Sequence, residues 1–87
     1  ANANLENANF KNATLWHANF HLANLTNADL SGADLRKSLL VNTDLSNANL
    51  QSADLSGADL SGADLSGVFI DENTNLNCKN HPICLND

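Results

Sequence analysis

Large apolar residues recur at every fifth position. Leu or Phe stands at 5, 10, 15, 20, 25, 30, 35, 40, 45, 50, 55, 60 and 65, and Ile70 closes the series. Two residues before each centre the side chain is small. Ala fills 3, 8, 13, 18, 23, 28, 33, 48, 53, 58 and 63, and Ser38, Thr43 and Val68 fill the rest. A helix advancing five residues turns through about 500°, so centres on it would smear around the whole surface. A continuous strand would reverse face at each step of five. Neither element fits alone. A short extended piece followed by a corner does fit. Small, polar, large, as in Ala28-Asp29-Leu30, points in, out, in, and the next two residues turn the chain.

The glycines agree with that reading. All four, Gly32, Gly57, Gly62 and Gly67, occupy the second position after a centre. Asn7, Asn12, Asn27, Asn42 and Asn47 share it. Gly and Asn tolerate the positive φ that many tight turns need. Such a unit cannot bury its own Leu, so units must stack on copies of themselves as a solenoid. The result is a narrow tube with large residues on the axis and Asn, Asp, Ser and Thr outside.

The runs "ANLENANFKNATLWHANF" and "ADLSGADLSGADLSG" resemble the pentapeptide repeat family, over about four fifths of the chain. The resemblance implies an all-β fold: a right-handed quadrilateral β-helix with four units per coil, here about three and a half coils. Residues twenty apart then stack in columns. Small members of this kind resemble those of cyanobacteria and the thylakoid lumen, whose biochemical role is mostly unknown. Longer members mimic DNA and act on DNA gyrase.

Two segments follow: a β-helix over 1–72 and a C-terminal capping tail over 73–87. The register slips by one at Thr74-Asn75-Leu76. The tail is expected to seal the C-terminal end, burying Leu76, Ile83 and Leu85, with a short helical turn before Pro82. At the other end Leu5, Phe10, Leu15 and Phe20 are expected to form an exposed floor, open to upstream residues or to a second copy of the chain. The sequence starts in mid-unit without Met, so an upstream piece is expected, with a targeting peptide as one reading and an arbitrary boundary of the chain as the other. No run of about 18 apolar residues occurs.

Cys78 and Cys84 are the only cysteines. A disulfide would suit an oxidising compartment such as the thylakoid lumen or periplasm. Free thiols, or a metal set of Cys78, His81 and Cys84, are the alternatives; the set lacks the fourth ligand of a closed zinc site. A disulfide across this spacing would contribute roughly 2–2.5 kcal/mol.

The net charge of −6 argues against nucleic-acid binding. Asp29, Asp34, Asp44, Asp54, Asp59 and Asp64 form a negative jacket, read as a solvated face that discourages aggregation. Asn7, Asn27 and Asn47 align as a candidate amide ladder. One region breaks the pattern. Trp16, His17, His21 and Leu22 meet Arg36, Lys37 and Val41 one coil on, with Leu39 at an outward position. A cation–π pair of Trp16 and Arg36 is expected there. This is the candidate partner-binding patch, and ordinary drift at tolerant surface positions is its competitor. No catalytic constellation, metal site or cofactor motif stands out, so no enzyme activity is expected. The function expected is a structural or protein-binding module. The alternative is a DNA-mimicking gyrase regulator, disfavoured because the repeats span only about 17 Å at 4.8 Å per coil.

Overall fold

The computed structural model describes residues 2–85. Its backbone forms parallel bridges between residues twenty apart: Asn4 with Asn24, Asn9 with Asp29, Thr14 with Asp34, Asn19 with Leu39, and onward coil by coil. Four pentads therefore make one turn. The outward residues define four faces: face 1 (4, 24, 44, 64), face 2 (9, 29, 49, 69), face 3 (14, 34, 54, 75) and face 4 (19, 39, 59, 79). Each coil is tied to the next in a fixed pattern. Asn24 N–H donates to Ala3 O (2.8 Å) and Leu25 N–H to Asp44 O (2.8 Å). Corners close by a turn in which Ala28 N–H donates to Leu25 O at 3.0 Å. From Asn2 to Gly67 the second corner residue has positive φ, the type II pattern.

The core is a single column of side chains. Leu25, Leu30, Leu35, Leu40, Leu45, Leu50, Leu55 and Leu60 are all fully buried, with the small residues beside them. Each such Leu contributes roughly 1.5–3 kcal/mol by burial. The polar members of the small set behave differently from each other. Thr43 Oγ1 donates to Phe20 O at 2.7 Å, whereas buried Ser38 Oγ has no partner among the described residues.

The outward Asn and Asp residues have a structural task that composition did not show. In every unit from 4 to 64 except two, the Asx Oδ1 accepts the N–H two residues on, as Asn4 Oδ1 does from Glu6 N–H and Asp59 Oδ1 from Ser61 N–H. The Asp jacket is thus a set of corner caps and not merely a solvated face. An amide ladder along Asn7, Asn27 and Asn47 is not seen among the described residues. Their backbone N–H groups bond Thr26, Ser46 and Ser66 carbonyls instead.

The parallel ladder continues past residue 72. Asp54 bridges Asn75, a step of 21, and Asp59 bridges Lys79, a step of 20 again. One residue is inserted after Phe69 and one removed before Lys79. Asp71 absorbs the insertion. Elsewhere at this corner a main-chain carbonyl accepts, as Ser31 O does from Asn12 N–H; here Asp71 Oδ1 accepts from Ser52 N–H at 2.9 Å. Thr74 Oγ1 bonds Leu50 O, and Leu76 is buried.

The ends match expectation at the disulfide and differ from it elsewhere. Phe20 is buried, because its ring meets Phe10 edge-on across the bore with centroids 6.0 Å apart. Leu5, Phe10 and Leu15 are half-buried. At the other end Cys78 and Cys84 are disulfide-bonded and buried. The bonded sulfurs leave no metal set, and His81 Nδ1 accepts from Ile83 N–H. The turn over residues 81–84 contains Pro82 as its second residue, so it does not end before the proline. Leu85 is not buried: it is 74% exposed, as its N–H reaches back to Leu76 O and leaves its side chain outside. Ile70, 43% exposed, also lies outside the loop's cover. Among the described residues, no helix is long and apolar enough to cross a membrane.

Candidate functional site

The patch residues come together on one side. Trp16 and Arg36 share a column at the corner between faces 3 and 4, with His17 and Lys37 beside them. Leu39 stands on face 4. His21 and Val41 share a column at the corner between faces 4 and 1, next to Leu22. Trp16, Leu22 and Leu39 are 55%, 47% and 44% exposed. The remaining exposed large apolar side chains, Phe69, Ile70 and Leu85, belong to the C-terminal end.

Three departures from the fold's own chemistry converge here. The two units without an Asx cap are those of Thr14 and Leu39, so the corners at Trp16 and Val41 lack the usual acceptor. Corner residues of positive φ are Gly or Asn except at His17, Leu22, Lys37 and Ser52, where an L side chain is disfavoured. Three of those four lie in the patch. Third, Leu39 puts an aliphatic chain where neighbouring units carry Asn, Asp or Thr.

Arg36 does not sit over Trp16 in a cation–π pair. Its Nε and Nη2 donate to Asp34 at 2.8 Å each, which holds the Asp34 carboxyl below its ordinary value. Trp16 packs edge-on against His17, centroids 4.2 Å apart. An open groove of about 600 Å³ is lined by Trp16, Arg36, Lys37, Ser56 and Gly57. A smaller depression of about 170 Å³ is lined by Asn19, His21, Leu39 and Val41. Ser56 and Gly57 carry no distinguishing signal in the sequence because both obey the repeat. Their role is only visible one coil below larger residues. A Cβ at Gly57 would come within 3.1 Å of Lys37 Cγ, so the glycine makes room for the lysine stem. At the lower edge Asn80 Nδ2 donates to Asp59 Oδ1, the leading reason that this carboxyl is lowered.

A square parallel solenoid with Asx-capped corners defines the class. The family model for pentapeptide repeats, eight copies long, matches residues 3–40 and 28–67. The chain belongs to the pentapeptide repeat family, and it has that family's right-handed quadrilateral β-helix. A pentapeptide repeat protein of the Arabidopsis thaliana thylakoid lumen is similar, with a TM-score of 0.77 and 34% identity over 78% of this chain and 47% of that one. A Nostoc pentapeptide repeat protein is similar with a TM-score of 0.68 and 35% identity, over 95% of this chain and 76% of that one. The chain thus spans about half the length of the Arabidopsis protein. No curated protein matches the sequence.

Proposed function

We propose that this protein is a non-enzymatic, protein-binding solenoid module of an extracytoplasmic compartment, the thylakoid lumen or a periplasm, and that face 4 with its two corners is its docking surface. The observation that carries this is the convergence of uncapped corners, disfavoured positive φ and exposed apolar side chains on one face. Each departure weakens the fold locally, and a binding role supplies a reason for keeping them together. The disulfide and the compartment of the Arabidopsis relative support the location. The outward carboxylates are engaged as caps, which leaves little for acid–base chemistry.

A photo-crosslinker at position 39, with one at Gln51 as control, tests the surface in extracts of the source cells. A protein captured from 39 and not from 51 is expected. Equal capture, or none from 39, would sink the proposal. Stacking of a second copy on the N-terminal end belongs to the same reading, and a monomer mass in light scattering would remove it. The DNA-mimic alternative is not favoured. Even the longest dimension, 29 Å, corresponds to only about eight base pairs at 3.4 Å each. No effect on gyrase supercoiling is expected at micromolar protein, and clear inhibition there would promote that alternative.

A further inference from the structure

We infer that the groove between Trp16 and Gly57 is a carboxylate subsite, and that face 4 takes an acidic, apolar segment of a partner protein. The inference rests on the docking surface proposed above and names what that surface selects. Every polar side chain lining the groove is able to donate: the Trp16 indole N–H, the Arg36 guanidinium, the Lys37 ammonium and the Ser56 hydroxyl. Asp34 occupies Nε and Nη2 of Arg36 and leaves Nη1. Lys37 has no acidic partner within salt-bridge distance among the described residues. Ser56 is also unlike its equivalents. The hydroxyls of Ser31, Ser46, Ser61 and Ser66 donate back to their own Asp caps, whereas at Ser56 only the backbone N–H bonds Asp54.

Charge points the same way. The chain has ten acidic and four basic residues. Three of the four, Arg36, Lys37 and Lys79, lie on face 4 or at this corner. Asp34 and Asp54 flank the groove from face 3 and Asp59 lies below, so the attraction is local and not a broad positive field. Faces 1 and 3 each present two carboxylates, Asp44 and Asp64 on one and Asp34 and Asp54 on the other, and these disfavour an acidic partner that the cations of face 4 accept. The depression at Leu39 and Val41 then receives an apolar side chain beside the carboxylate. Main-chain bonds across face 4 are closed between coils, as from Leu39 N–H to Ala18 O and Leu40 N–H to Asp59 O. Side chains, not an added strand, make this contact.

Trp16 is the only tryptophan, so its emission reports the groove directly. The intact protein is titrated with a five-residue blocked peptide alternating Leu and Glu, with its Gln and Lys counterparts, and with inorganic phosphate. Amide shifts are followed in parallel. The Glu peptide is expected to move Trp16 and Leu39 signals and to bind about tenfold more tightly than the Gln peptide, as a charge-assisted bond would give. Lys37→Gln should abolish that preference, while Leu39→Asn weakens both peptides and keeps their ratio. Equal binding of the Glu and Gln peptides would overturn the carboxylate subsite and leave the docking surface standing. Phosphate that saturates Trp16 while the Glu peptide does not would reduce the groove to a bare anion site and overturn the partner segment. If no probe moves Trp16 while position 39 still captures a protein, this inference fails alone. If both fail, the docking surface falls with it.

Discussion

Ser38 and Thr43 sit in consecutive units at the same inward position, and one hydrogen bond separates their fates. The Thr43 hydroxyl is satisfied by Phe20 O; the Ser38 hydroxyl is buried without a partner among the described residues. An unsatisfied buried group costs about 1–3 kcal/mol. Ser38→Ala is therefore expected to stabilise the protein by about 1 kcal/mol, and Thr43→Val to destabilise it by a similar amount. Thermal melts check the pair, and a loss of stability in Ser38→Ala would contradict the reading. The patch gives a second test at this scale. Leu39→Asn restores a cap for Val41 N–H, and Leu22→Asn relieves a disfavoured positive φ. Together they are expected to raise Tm by about 4–8 °C, on roughly 1 kcal/mol of gain, while weakening peptide binding at face 4. If the double variant is less stable than the parent, the departures are not local weaknesses and the case for the surface loses its basis.

At the level of the corner, charge and geometry are coupled. The carboxyls of Asp29, Asp34, Asp44, Asp59, Asp64 and Asp71 all lie below their ordinary value of 3.8. The leading causes are hydroxyl donors at Ser31 and Ser66, Arg36, Asn80, and the backbone N–H groups of Ser46 and Ser52. Groups lowered on folding add stability that is complete above their unfolded value and is lost as pH falls through the folded one. Stability should hold from pH 7 to about 5 and decline below about pH 4. The early corners are capped by Asn4, Asn9, Asn19 and Asn24 and should lose little amide protection at pH 3, beyond intrinsic rate effects. Those at Ser46, Ser61 and Ser66 should lose more, and Asp→Asn changes at 44, 59 and 64 should flatten the decline. An unchanged melt at pH 3 would contradict this. These caps also mark how far the sequence could be read. The five-residue period made the axis and the corners legible because burial obeys a strict inside–outside rule. Asx at one position with Ser or Thr two residues on is itself a turn signature, but composition alone reads it as solvation. Asp71 was less accessible, since a side chain replaces a main-chain acceptor only where the register slips. The groove was hidden because Ser56 and Gly57 look ordinary along the chain and matter only across it.

For the whole tube, neighbour contacts imply that damage stays local unless it strikes the axis. Leu45→Asp places an unpartnered carboxylate among fully buried leucines and should abolish folding, while Ser46→Asp should be tolerated. Equal melting of the two would refute the inside–outside assignment. Reduction of the Cys78–Cys84 bond should remove roughly 2–2.5 kcal/mol and release the Asn75 and Lys79 amides, which bond Ala53 O and Ala58 O, before those of Leu35 or Leu45. Exchange that ignores reductant would show that the loop does not hold this end. The twenty-residue register has a further result for how such a chain changes over time. Losing one pentad keeps every large residue on the axis, yet it shifts all later outward residues to the preceding face by a quarter turn. Were residues 53–57 lost, the position now held by Asp59 would move from face 4 to face 3, and Lys79 with it. Loss of twenty residues shortens the tube without mixing its faces. Copying errors among near-identical repeats thus act as rotations of the surface, able to assemble or scatter a patch such as that around Leu39 while the interior registers nothing.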